Sequence, residues 1–506
     1  MKWPLALAQT TALFFLISFN ASAEGRTTLS FDANWRFLKA DATNAQQNQF
    51  DDSTWRKLNV PHDWSIEGPF SRTNKTGGAG GYLPGGIGWY RKHFTLPASA
   101  SNDCVSVEFD GVMANSDVWI NGFHLGHRPY GYVSFSYELS GHLNFGGDNV
   151  LAVRADNSQQ PASRWYSGAG IYRHVRLVTT GPIHVAHWGE FIHTPQVSAK
   201  QATVAIDILL TNETPSPNDI FKVVTTILAP NDKSVAKSES TTMLTAGPPT
   251  MVHQEIPLKN PDLWDLDHPA IYRAVTEIRD GKKILDAETN NFGIREYHFA
   301  PETGFWLNGK NFKIKGACVH ADGGAFGAAV PLDVWEERLT ALKSLGVNAI
   351  RTAHNPPAPE FLDLCDRMGL LVMDEFFDCW TVGKNPFDYH LYFNDWSHTD
   401  ERDSIRRDRN HPSIILYSVG NEIHDTPHAE LAKGILKGLV EVAHETDPTR
   451  PVTQALFRPN VSHDYDDGLA DMLDVVGQNY RENEILAAHK QNPARKIIGT
   501  ENTHDR

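Results

Sequence analysis

The chain of 506 residues is poor in cysteine, with only Cys104, Cys318, Cys365 and Cys379. They form no Cys-x-x-Cys pair and no Cys/His zinc spacing, which excludes a zinc-finger framework and a disulfide-dense scaffold. They read as small buried hydrophobes, with a Cys365–Cys379 bridge left open for an oxidising compartment. Positive charge is also scarce: 46 Lys and Arg face 61 Asp and Glu, a formal net charge of −15. No run gathers the cations into a patch, and so acidic a surface repels phosphate backbones, so nucleic acid is excluded as a partner. After residue 23 no stretch approaches the roughly eighteen consecutive apolar residues of a bilayer span. His-Glu-x-x-His is missing, Ser418 lies in no Gly-x-Ser-x-Gly elbow, and Gly77-Gly78-Ala79-Gly80-Gly81 lacks the Lys-Ser/Thr ending of a phosphate loop. Zincin, serine-hydrolase and P-loop chemistry therefore have no support. The glycine run reads as a flexible loop, with a reach over the barrel mouth left open.

What is present begins with an export signal. Lys2 supplies a positive start, Leu5 to Phe19 is mostly apolar, and Ala21-Ser22-Ala23 is a small-residue cleavage site. The mature chain is expected to begin at Glu24 and to be periplasmic or secreted, with no membrane attachment after cleavage.

Three parts follow. Residues 24–180 show short alternating strands such as Cys104–Phe109 and Val118-Trp119-Ile120, the latter running into the hairpin signal Asn121-Gly122. A jelly-roll β-sandwich is expected. Alternation resumes over 181–297, as in Thr203–Ile208 and Lys222–Leu228, at a length that suits an immunoglobulin-like sandwich. From 298 to 506 the rhythm changes to strand and helix. Expected strands are Phe312–Ala317, Val347–Thr352, Leu370–Glu375, Ile414–Asn421, Pro451–Ala455, Val475–Tyr480 and Lys496–Glu501. Helices such as Asp333–Leu345, Pro359–Met368 and Ala429–Glu445 fall between them. A (β/α)8 barrel usually takes about 250 residues. This part is shorter, so the expectation is a C-terminally truncated TIM barrel holding strands 1–7 only.

Active groups of such barrels sit at the C-terminal ends of strands. Strand four ends in Ser418-Val419-Gly420-Asn421-Glu422 and strand seven in Ile498-Gly499-Thr500-Glu501. Two carboxylates facing each other across the mouth, about 5–5.5 Å apart, are what retaining glycoside hydrolysis needs. One gives a proton to the leaving oxygen and the other attacks the anomeric carbon. A lone strand-end glutamate reads as a salt-bridge partner; two, the first preceded by Asn, read as catalytic.

The run Asp408-Arg409-Asn410-His411-Pro412, continuing to Gly420-Asn421-Glu422, resembles the acid/base signature of glycoside hydrolase family 2. Asn348-Ala349-Ile350-Arg351-Thr352-Ala353-His354-Asn355-Pro356 resembles the family's other signature, and Gly168-Ala169-Gly170-Ile171-Tyr172-Arg173 its first-domain motif. Pro61-His62-Asp63-Trp64 and Gly85–Arg91 look most like bacterial β-galactosidases of the family. The resemblance implies Glu422 as acid/base, Glu501 as nucleophile and Asn421 as the residue that bonds the sugar 2-hydroxyl. It implies Tyr480 beside the nucleophile, Arg351 as the charge that keeps Glu501 ionised, and His354 and His320 as sugar contacts. Asp374, Glu375 and Trp380, at the end of strand three, are expected to line the same pocket.

Tyr417 stands where the signature usually has Trp, and Asn355 where the other has Tyr, so packing or subsite shape is expected to differ. The chemistry requires no cofactor; the Glu and His that bind magnesium in some β-galactosidases find no match around Asp374–Trp380, so no metal ligand is assigned and magnesium is left open. The leading expectation is an exo-β-galactosidase acting on a glycoside or oligosaccharide. A β-glucuronidase or β-mannosidase is the alternative, and a non-catalytic carbohydrate-binding remnant is a third reading, because the barrel is incomplete. The sequence leaves a homo-oligomer open.

Overall fold

The computed structural model describes residues 25–214 and 218–502. The export segment lies outside the described residues. No described helix is long and apolar enough to cross a membrane.

The first part is a sandwich of two antiparallel sheets. One holds Thr27–Ser30, Val175–Thr180, Cys104–Phe109 and Phe135–Glu138 in that order. The other has six strands and centres on Gly86–Thr95 and Asp148–Asn157. Alternation fixes the faces: Val105, Val107 and Phe109 point into a core with Val118, Ile120, Leu151 and Val153. Asn121 and Gly122 both have positive φ (52° and 84°), as a type I′ hairpin demands.

The second part packs a three-stranded sheet (Ile183–Val197, Gln201–Asn212, Thr250–Lys259) on a four-stranded one. Its core gathers alternate residues from both sheets, among them Val204, Ile206, Val223, Ile227 and Ile278.

The third part is a nearly closed parallel barrel of seven strands, each pairing with the next in sequence. They are Gly316–Val319, Ala349–Thr352, Leu371–Glu375, Ile414–Asn421, Val452–Leu456, Val476–Asn479 and Ile497–Glu501. Strand one differs from the expected Phe312–Ala317. Phe312 instead ends a three-stranded antiparallel sheet (Tyr297–Ala300, Gly304–Leu307, Lys310–Phe312). The aromatic rings of that sheet pack on Ala349, Leu371 and Ile415 and plug the bottom of the barrel. Hydrophobic drive therefore takes Phe312 under the barrel, and strand one starts four residues later.

Helices Leu332–Ser344, Pro359–Met368, Phe393–Asp408 and Ala429–Thr446 cover the outside. Strand and helix residues share one core, in which Leu339, Leu362, Val372, Ile405, Val419 and Leu436 are buried. Cys365 and Cys379 are both buried and free, so the bridge left open by the sequence is not formed. Cys365 faces the helical core, whereas Cys379 follows strand three and contacts Asp388.

Candidate active site

Strand four is buried along its whole length, and its end turns sharply: Glu422 has φ +47°. Such a left-handed residue is uncommon outside glycine and concentrates at functional sites. Glu422 Oε1 accepts a hydrogen bond from Asn479 Nδ2 (3.1 Å). No ion pair reaches Glu422 among the described residues. A cleft of about 670 Å³ opens beside it, walled by Phe457, Arg458, Tyr480 and Arg481.

Glu501 ends strand seven. Arg351 Nη1 donates to its Oε1 (2.7 Å), and the Tyr480 hydroxyl donates to its Oε2 (2.6 Å). Burial alone would raise its pKa, but these two hydrogen bonds and the Arg351 charge outweigh it and hold the carboxyl below its ordinary value. Glu501 is therefore ionised at neutral pH.

Arg351 organises the floor. Its fork lies on Glu375, with Nε and Nη2 each 3.0 Å or less from a carboxylate oxygen. Nη2 also donates to Asn421 Oδ1 (2.7 Å). Glu375 further accepts from Ser418 Oγ (2.6 Å) and is 2.6 Å from His354 Nδ1. Burial raises the Glu375 pKa; Arg351, His354 and Ser418 more than reverse it, so a buried carboxylate stays charged beneath the pocket.

Sequence reasoning placed ten residues here, and the structure brings seven of them together: Glu422, Glu501, Asn421, Arg351, His354, Tyr480 and His320. Three do not reach the mouth. Glu375 is fully buried behind Arg351 and His354, so it orients them and cannot touch a sugar. Trp380 is fully buried, its indole N–H donating to Val419 O (2.9 Å), beneath the end of strand four. Asp374 faces the other way. Side chains alternate along a strand, so with Glu375 inward, Asp374 meets the helical layer. There burial and the neighbouring Asp408 push its pKa well up, against the opposing Arg407 charge. Tyr417, the departure from the signature, is fully buried, and its hydroxyl donates to Asp447 (2.9 Å). It therefore changes packing and not the pocket surface.

Other residues of the site escaped the sequence. Arg164 and Trp165 come from the first sandwich. Arg164 Nε and Nη2 grip Asp378 (3.0 and 2.6 Å), and the Trp165 ring packs on His320 and His354 with centroids 5.1 and 5.3 Å apart. Asp378 also accepts from Lys384 Nζ (2.9 Å) and Asn421 Nδ2 (2.8 Å). Burial would raise its pKa, but Arg164 and Lys384 hold it far below the carboxylate range. The arm that reaches the mouth is thus 158–168. Segment 77–81 is instead tied to its own loop: Gly77 N–H donates to Asn74 O (3.1 Å), Gly80 N–H to Thr76 O (3.2 Å) and Tyr82 N–H to Gly77 O (2.8 Å).

Two carboxylates near the two glutamates are already engaged and not free to take a metal ion. Both Asp378 oxygens are engaged by cations or an amide, and the Glu375 carboxylate is held by Arg351, His354 and Ser418. One group of three ligand-type side chains converges among the described residues: Asp363, Asp366 and His411. It lies before the start of strand four, at the opposite end from Glu422. There Asp366 is already bonded to His411 (2.6 Å) and to the Ser413 N–H (3.0 Å).

A mouth with acidic groups on opposed strand ends, walled by imidazole and indole, is typical of glycoside hydrolases as a class. Family models agree. Residues 301–506 match "Glycosyl hydrolases family 2, TIM barrel domain", residues 184–295 match "Glycosyl hydrolases family 2", and residues 50–160 match "Beta-galactosidase second all-beta domain". The beta-galactosidase BoGH2A of Bacteroides ovatus is 43% identical over 94% of this chain and 59% of its own length. A putative beta-glucuronidase of Formosa agariphila is 42% identical over 86% of this chain and 40% of its own. The crystal structure of a family 2 member from Bacteroides cellulosilyticus superposes with a TM-score of 0.90 at 39% identity, over 94% of this chain and 61% of that one. The chain belongs to glycosyl hydrolase family 2. It spans well under two thirds of the length of these relatives.

Proposed function

We propose that the protein is a retaining exo-β-glycosidase acting on β-galactosides. Glu501 attacks the anomeric carbon while Glu422 gives its proton to the leaving oxygen, and a glycosyl-enzyme forms. Water, deprotonated by Glu422, then displaces Glu501. The observation that carries this reading is the opposed treatment of the two carboxyls. Glu501 is kept ionised by Arg351 and Tyr480, whereas Glu422 has one amide donor and an open cleft beside it. Asn421 stands between them, its amide aimed by Arg351, Asn479 and Asp378, where it can bond a sugar hydroxyl. The test is hydrolysis of an aryl β-galactoside followed by NMR. First-formed β-galactose supports double displacement, and first-formed α-galactose rejects it.

A second reading, β-glucuronidase, is favoured by one feature. Arg164 and Lys384 share a single carboxylate, Asp378, so positive charge exceeds that one carboxylate beside Asn421. A uronic acid carboxylate would use that charge, and the Formosa agariphila relative carries the corresponding name. Side-by-side turnover of aryl galactoside, glucuronide and mannoside separates the readings. The export segment supports a periplasmic or secreted location, which cell fractionation tests.

A further inference from the structure

A buried carboxylate of the first sandwich lies where three segments meet. Asp63 is 3% exposed. Its Oδ1 accepts from the backbone N–H groups of Ser65 (3.0 Å) and Ala169 (3.0 Å). Its Oδ2 accepts from the Tyr166 hydroxyl (2.5 Å) and from the backbone N–H of Ala328 (2.8 Å). The first segment is the turn Trp64–Glu67. The second is the arm that carries Arg164 and Trp165 to the mouth. The third is the loop that leaves barrel strand one through His320.

The backbones are shaped to let this happen. A Cβ on Gly168 would stand 2.7 Å from Asp63 Oδ2 and 2.6 Å from the Ala328 methyl. A Cβ on Gly327 would come closer still to the same oxygen. Both glycines have positive φ, +74° and +63°. Two positions from different domains therefore carry no side chain where they close on one carboxylate.

Capping the turn requires only the bond to Ser65. The other three donors lie near groups at the mouth: Tyr166 and Ala169 are one and four residues past Trp165, and Ala328 is eight residues past His320 on the barrel loop. Tyr166 and Ala169 follow Trp165, whose ring rests on His320 and His354. Arg164 precedes it and grips Asp378, which in turn holds the Asn421 amide.

We propose that Asp63 is a positioning residue of the sugar pocket. It fixes the arm and the loop after strand one in a single register, and so sets where Trp165 and Arg164 stand over the mouth. The kinetic consequence rests on the glycosidase reading; the structural one does not.

Asp63→Asn isolates the effect. The amide oxygen still accepts from Ser65 and Ala169, so the turn keeps its cap. The Nδ2 group cannot accept from the Ala328 N–H, and the Tyr166 hydroxyl must reverse its role. In hydrogen exchange on the full chain, amides of 164–170 and 321–330 are expected to exchange about tenfold faster together, with barrel strands four and seven unchanged. For an aryl β-glycoside, KM is expected to rise about tenfold with a smaller change in kcat. That rise should vanish when Asp63→Asn is made in a Trp165→Ala background, because the positioned ring is already gone. Tyr166→Phe, which leaves the cap intact, should move both readouts in the same direction by less. Unchanged exchange in the two segments overturns the proposal, as does faster exchange throughout the chain or a KM effect that persists in full without Trp165. A wild type that hydrolyses no β-glycoside rejects the enzyme reading, and the exchange experiment still decides the role of Asp63.

Discussion

Tyr480→Phe tests the electrostatics of the proposed nucleophile with little disturbance of the fold. The tyrosine is 36% exposed, so its hydroxyl supports little packing. That hydroxyl donates to Glu501 Oε2 at 2.6 Å. The bond to Glu501, then burial, pushes its own pKa up to about 12, so it remains a donor at every working pH. A hydrogen bond to a charged group is worth about 1.5–3 kcal/mol, and the lower end applies at a partly open site. At about 1.36 kcal/mol per pKa unit, its loss should raise the Glu501 pKa by about one unit. On the proposed mechanism Glu501 must be ionised to attack. The acid limb of kcat/KM should therefore move up by about one pH unit, with the basic limb in place. The assay is the pH profile of aryl β-galactoside hydrolysis by wild type and variant, with circular dichroism confirming that both are folded. An acid limb that stays put, or moves down, in a folded variant would refute this account of how Glu501 is kept charged.

Glu422→Gln is expected to lower kcat about 10²–10⁴-fold on poor leaving groups and much less on activated aryl glycosides, a contrast that steady-state kinetics will read. Glu501→Gln should abolish turnover of both kinds; near-wild-type rates would reject the nucleophile assignment. Arg351→Gln takes from the fully buried Glu375 its guanidinium partner and leaves it only His354 and Ser418, so unfolding in denaturant should show a loss of up to about 3–5 kcal/mol. His411 has its pKa raised from 6.5 to about 9: burial lowers it, but the Asp366 charge and hydrogen bond more than compensate. A raised folded-state pKa adds stability that is complete below pH 6.5 and is lost as the pH rises through about 9. His411→Asn should therefore cost most at pH 6 and progressively less toward pH 10, as thermal melts across that range will show.

The placement of Glu422 and Glu501 at barrel strand ends was legible because strand and helix alternate regularly over the barrel. Strand parity carries the distinction between Asp374 and Glu375 as well. Leu371 and Met373 face the barrel interior and Val372 the helical layer, which puts Glu375 inside and Asp374 outside. Trp380 lies past the strand end, where parity no longer speaks. Arg164 and Trp165 left no signal at all, since Arg164 meets Asp378 across 214 residues of sequence and no local pattern encodes such a contact. Phe312 was assigned to strand one because an apolar residue before a strand resembles part of it. The packed plug under the barrel decided otherwise.

The arm from the first sandwich also has a consequence for how the protein folds. Domains of a large chain generally fold as units. A sandwich that folds before the barrel leaves Asp63 with only the donors of its own part, and the Ala328 N–H reaches it only when the barrel loop docks. Docking of the barrel against a finished sandwich is therefore the step that dehydrates it. A slow late phase in refolding, sensitive to Asp63 and silent to the sandwich cores, would be the kinetic trace of the pocket being assembled.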